Sequence, residues 1–125
     1  MSVKFGVGVA NPFGISTERE SNRIVHLAIQ GGIDAHTVIE LDDRLNRALD
    51  RGAVRFLVEL SSVDYISSAG VMRLLMLRDQ ARDEGGDLVV VGARPRVIEI
   101  FHLLGLKDLI RLVATPEEAW AVFGK

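Results

Sequence analysis

Apolar and polar positions change period along this chain, and the changes mark its elements. Ile15–Glu20 and Arg23–Gln30 read as two extended stretches separated by Ser21-Asn22, which predicts a β-hairpin that ends at Gly31-Gly32. From Thr37 to Arg51 the period becomes helical. Val38, Leu41, Leu45, Ala48 and Leu49 form one stripe, while Asp42, Asp43, Arg44, Arg47 and Asp50 fall toward water. Asp34 or Thr37 can cap this helix, and Gly52 suits its end. Val54–Leu60 is apolar on both faces at its centre, as an interior parallel strand is. Ser61–Ile66 reads as its exit loop. Ser67 or Ser68 then caps a helix to about Glu84, closed by Gly85-Gly86.

Asp87–Gly92 is a further buried strand. Pro95 opens a helix over Arg96–Leu104, with Gly105 just past its end. Leu109–Val113 predicts a last short strand, and Thr115-Pro116-Glu117-Glu118 a capping box for a helix over Glu117–Phe123. At the other end, residues 1–13 alternate weakly through Val3, Phe5, Val7 and Val9, diluted by Gly6 and Gly8. An extra edge strand and a mobile arm are both open for this extension, as is self-association through it. Asn11-Pro12-Phe13-Gly14 reads as a turn.

After the hairpin, strands and helices alternate, which predicts an α/β fold. The expected architecture is one domain over residues 14–125. It has a mixed, mostly parallel sheet of four or five strands and about four helices.

Composition narrows the chemistry. The chain has 125 residues and no cysteine, which excludes disulfides, cysteine–zinc sites, thiol nucleophiles and iron–sulfur clusters. A net charge of −2 with no basic block argues against a nucleic-acid partner. Apolar runs of five residues or fewer are far too short to span a membrane. The N-terminus lacks the order of a secretory signal, so a cytoplasmic location is expected.

The segment joining the buried strand to the second long helix draws attention. In open α/β sheets, sites gather at the carboxyl ends of strands, and Ser67-Ser68 stand there. A plain N-cap accounts for a serine at this place. The helical wheel adds something else. Gly70, Leu74, Leu77 and Ala81 share one side, while Met72 and Met76 lie nearly opposite, among Arg73, Asp79 and Gln80. Ser68 projects between Val71, Met72 and Leu75. An exposed serine beside methionine and leucine suits an adaptable protein contact. A phosphate there would meet the favourable end of the helix dipole, yet would repel a partner that offers apolar or acidic groups.

Three segments carry a family resemblance: DYISSAGVMRLL, GGIDAHT and LLGLKDLIRLVATPEEA. Their order and spacing resemble STAS domains, and more narrowly bacterial anti-sigma factor antagonists, over residues 14–123. The resemblance implies a phosphoacceptor at the head of the second helix. Registering that segment on Gly70 puts the acceptor at Ser68, with Ser67 where the family has aspartate and Ala69 where it has a second serine. Asp34 matches an acidic residue near the acceptor, and His36 and Thr37 match its neighbours.

The implied function is partner switching in transcription regulation. The unphosphorylated form binds an anti-sigma factor that is also a serine kinase of the GHKL type. Phosphorylation releases it, and a serine phosphatase resets the cycle. The expected partner surface comprises Asp34, His36, Ser67, Val71, Met72, Leu75 and Met76. A STAS domain serving as scaffold or regulatory subunit in another signalling or transport assembly is the alternative.

Enzymatic readings find little support. Gly-x-Ser-x-Gly is absent, His26 sits within a strand and His102 within a helix, and no histidine has metal-ligand spacing. No phosphate-binding loop or kinase motif is present, so ATP would come with the partner and no cofactor is expected.

Overall fold

The computed structural model describes residues 11–124. The strand or arm expected over Val3–Val9, and self-association through it, lie outside the described residues. The elements are β1 (Gly14–Ser21), β2 (Ile24–Ile33), α1 (Val38–Asp50), β3 (Arg55–Ile66), α2 (Ser68–Asp83), β4 (Asp87–Val91), α3 (Pro95–Leu103), β5 (Arg111–Val113) and α4 (Pro116–Val122). The five strands form one sheet in the order β1-β2-β3-β4-β5. The β1–β2 pair is antiparallel and every other pair is parallel, as the hairpin-then-alternation pattern predicts.

One sheet face carries the main core. Val25, Leu27, Phe56, Val58, Leu88 and Val90 pack there against Leu41 and Leu45 of α1, Leu74 and Leu77 of α2, and Val97 and Phe101 of α3. The opposite face is covered by α4, where Ala119, Trp120 and Phe123 meet Leu57, Val89 and Val91. The α4 capping box is formed in full: Thr115 Oγ1 accepts from the Glu118 N–H, and the Glu118 carboxylate accepts from the Thr115 N–H. On this face His26 donates to Glu59 at 3.0 Å and meets Trp120 edge-on, while the Arg19 guanidinium lies over the indole, 4.7 Å from its centroid.

The hairpin turn is Asn22-Arg23, one residue later than the sequence suggests. Both residues have positive φ, 52° and 65°, the signature of a two-residue turn whose twist matches the strands. A larger difference concerns Gly31-Gly32 and Ser61–Ile66. The glycines do not end β2, and the expected exit loop is strand. The two extensions pair with each other, Gly31 with Val63 and Ile33 with Ile66. The reason lies in Gly31, which has φ +85° and lies against the incoming chain: a Cβ there would stand 2.8 Å from the Asn11 oxygen and from the Phe13 backbone. The glycine marks an irregularity that lets another segment cross the strand, not the strand's end.

Candidate functional site

β2 and β3 run parallel, so their carboxyl ends lie side by side, and the two candidate loops leave the sheet together. Ser67 follows β3 in an extended conformation and is the N-cap of α2. Its Oγ accepts from the Gly70 N–H at 3.2 Å, and its own N–H donates to the Ile33 oxygen at 2.7 Å. Ser68 begins the helix and is exposed, and its hydroxyl makes no hydrogen bond among the described residues. The adjacent serines are therefore unlike: one hydroxyl is used by the fold and the other is free.

Gly70 makes this geometry possible. A Cβ on it would lie 2.6 Å from Ile33 Cγ2 and 2.9 Å from Ile66 Cγ1. The first turn of α2 thus rests directly on the ends of both strands.

Asp34 comes immediately after β2. Its Oδ1 accepts from the backbone N–H groups of His36 at 2.9 Å and Thr37 at 2.8 Å. The Thr37 hydroxyl donates to the Gly32 oxygen at 2.8 Å and accepts from the Asp34 N–H. Thr37 occupies the N-cap position of α1 without a side-chain cap bond, and the Asp34 carboxylate instead braces the turn that leads into the helix, since both N–H groups it accepts from precede Val38. These donors, the Thr37 N–H first and the His36 N–H next, hold the Asp34 carboxyl below the ordinary aspartate range. Asp34 and His36 are both exposed beside the serine loop.

From Ala69, the neighbour of Ser68, a groove of about 570 Å³ runs between α1 and α2. Val38, Ile39 and Asp42 line it from α1, and Ala69, Met72, Arg73, Leu75, Met76 and Asp79 from α2. Met72 and Met76 are 52% and 53% exposed, as the wheel predicts for an outward face. Leu75 is half-buried at the groove's side.

Two expectations for this face are corrected. Val71 is 0% exposed and packs in the main core, so it offers a partner nothing. α2 is buried over a wider arc than the wheel suggests, because it lies over the sheet with α1 alongside. Arg73 also turns inward, being 7% exposed, and bridges to α1 through Asp42 and Asn46 while reaching Gln80 on its own helix. Asp42, expected to face water alone, is its ion partner. Ile39 is the groove residue that the periodicity missed; an isoleucine off the apolar stripe of α1, 68% exposed, was the available signal.

His26 belongs to the α4 face of the sheet, across from the helices that carry the groove, and its ring is held by Glu59 and Trp120. It makes no pair with either serine. Among the described residues no group of three or more histidine and acidic side chains could hold a metal ion. No helix among them is long and apolar enough to cross a membrane.

Comparison with known proteins agrees with this architecture. A family model described as the STAS domain matches residues 17–119. A Bordetella bronchiseptica protein named as an anti-sigma factor antagonist, BtrV, is 32% identical over 95 residues, covering 76% of this chain and 82% of its own length. Among solved structures, one named as an anti-sigma factor antagonist from Thermotoga maritima superposes with a TM-score of 0.79 at 16% identity, over 91% of this chain and 94% of the other. The anti-sigma factor antagonist SpoIIAA in its unphosphorylated form gives 0.77 at 23% identity, over 90% and 98%. At these identities the two structures speak for the fold alone.

Proposed function

The chain belongs to the STAS domain family, and from that membership we propose that it is an anti-sigma factor antagonist, a binding protein whose affinity is set by phosphorylation of Ser68. The partner is an anti-sigma factor with serine-kinase activity, a phosphatase restores the free hydroxyl, and the cycle runs in the cytoplasm. The observation that carries the reading is the contrast at the head of α2. The Ser67 hydroxyl is engaged in capping, whereas Ser68 is exposed next to Ala69, a residue that lines an apolar groove.

The physics follows from that position. A phosphate on Ser68 adds about −1.5 to −2 charges at pH 7. The amino end of α2 favours such charge by about 0.3–1 kcal/mol, so the domain tolerates it. A bound kinase does not, because its donor site holds nucleotide phosphates facing the serine. Two unit charges 4 Å apart repel by about 1 kcal/mol in water and about 4 kcal/mol near a protein surface. At about 1.4 kcal/mol per decade, that repulsion weakens binding by about fivefold to about seven-hundredfold. Release therefore needs no unfolding and no catalytic group on this chain.

Replacing Ser68 tests this. Ser68→Glu should keep the circular dichroism and melting of the wild type while binding the anti-sigma kinase about tenfold or more weakly. Equal binding by the two proteins overturns the switch, and phosphate mapped to Ser67 overturns the choice of acceptor.

A further inference from the structure

The groove between α1 and α2 says what kind of element docks on it. We infer that it receives an amphipathic α-helix of the partner, with an apolar ridge flanked by lysine or arginine. This rests on the reading of Ser68 as the contact point, since Ala69, the next residue, and Met72, one helical turn on, line the groove.

Three features argue for it. First, the walls are helices, whose backbone groups are already paired within themselves. An extended peptide would find no strand edge to bond, so the occupant must satisfy its own backbone, as a helix does. Second, the lining is mostly apolar and adaptable. Met72 and Met76 are half-exposed, Ile39 more so, and the volume lies in the range of about 300–1,000 Å³ usual for binding clefts.

Third, the charge has one sign where it is accessible. Asp42 and Asp79 are carboxylates of the lining, each ion-paired with an arginine of α2, but the Arg73 and Arg78 side chains are only 7% and 17% exposed against 50% and 62% for the carboxylates, so the acidic groups are what the groove presents. Glu40 stands exposed nearby on α1. A second copy of this chain would bring the same acidic groove and is disfavoured; a basic flank is complementary. From Ser68 to Asp79 is about 16 Å along the helix, beyond a Debye length of about 8 Å at physiological salt. Recognition at the far end of the groove and phosphate repulsion at Ser68 are thus separate levers.

The test uses two stapled helices of about five turns, identical in a leucine ridge and flanked by lysine in one and glutamate in the other. Binding is read by titration and by the methyl resonances of Ile39, Met72 and Met76. The lysine helix should shift those methyls and bind about tenfold or more tightly than the glutamate helix, and Asp79→Lys, with unchanged melting, should abolish the preference. Equal binding of the two helices, no binding, shifts centred on Leu103, Leu104 and Leu109 instead, or a dimer of the chain closed over the groove each overturns the inference. A parallel titration with the anti-sigma kinase separates the two readings. Weakening by Ser68→Glu but not by Asp79→Lys or Met76→Ala overturns the groove's occupant alone. Indifference to Ser68→Glu overturns the switch beneath it.

Discussion

The Ser67 backbone N–H donates to the Ile33 carbonyl oxygen at 2.7 Å, and this bond closes the parallel β2–β3 ladder where both loops of the site begin. It places the acidic loop that starts at Asp34 next to the serine loop. Each loop is then secured by a side chain of its own: Asp34 on the turn that leads into α1 and Ser67 on the first turn of α2.

The two serines should separate cleanly under mutation. Ser67→Ala removes a capping acceptor and should cost about 1 kcal/mol. Ser68→Ala removes an exposed hydroxyl and should stay within about 0.5 kcal/mol of the wild type. Urea denaturation measures both. In the same pair, phosphorylation by the kinase should persist in Ser67→Ala and vanish in Ser68→Ala.

Gly70→Ala should damage the site through packing. The new methyl would meet Ile33 and Ile66 well inside van der Waals contact, and both are fully buried. Overpacking of this kind costs about 1–3 kcal/mol. Thermal melting should show the loss, and the phosphorylation rate of Ser68 should fall with it as the helix head shifts. An unchanged melting temperature would mean that the helix can lift off the strands freely.

Acid should loosen the Asp34 loop in a defined direction. The folded-state carboxyl is held below its ordinary value by the Thr37 and His36 N–H groups. Its contribution is therefore complete above the unfolded value of about 3.9 and is lost as the pH falls through the lowered folded value. Carbon-detected titration should put the Asp34 midpoint below about 3.9, and Asp34→Ala should flatten that part of the acid limb. A midpoint at or above the ordinary value contradicts the hydrogen-bond geometry.

Arg73 offers a test of the α1–α2 contact. Asp42→Ala leaves a buried guanidinium without its ion partner and should destabilise by about 1–3 kcal/mol, less than for a fully buried pair because Asp42 is half-exposed. Arg73→Met keeps much of the volume and removes the charge, and should cost less than Asp42→Ala. Guanidinium denaturation ranks the two, and the reverse order would show that the arginine stays solvated when unpaired.

Much of this was legible in the residues. The α1 stripe of Leu41, Leu45 and Ala48, the doubly apolar β3 centre and the Thr115–Glu118 box each declare themselves within one element, because local period and local capping decide them. What escaped depends on distant chain. Gly31 reads as a stop until Asn11 and Phe13 are seen lying against it. Ser61–Ile66 reads as a loop until the far half of β2 pairs with it. Arg73 reads as a surface residue because Asp42, which draws it inward, is 31 positions away. The family register on Gly70 already points to Ser68 as the acceptor; what the residues left open is which serine caps α2, and the Gly70 N–H bond to Ser67 Oγ answers that.

Trp120, the chain's one tryptophan, lies between α4 and the sheet, under Arg19 and beside His26, on the face turned from the groove. Its emission therefore tracks the integrity of the rear layer and stays silent when something occupies the front. A single tryptophan, excited selectively at the red edge, thus gives an unlabelled control in which a variant that has lost affinity can be told at once from one that has lost its shape.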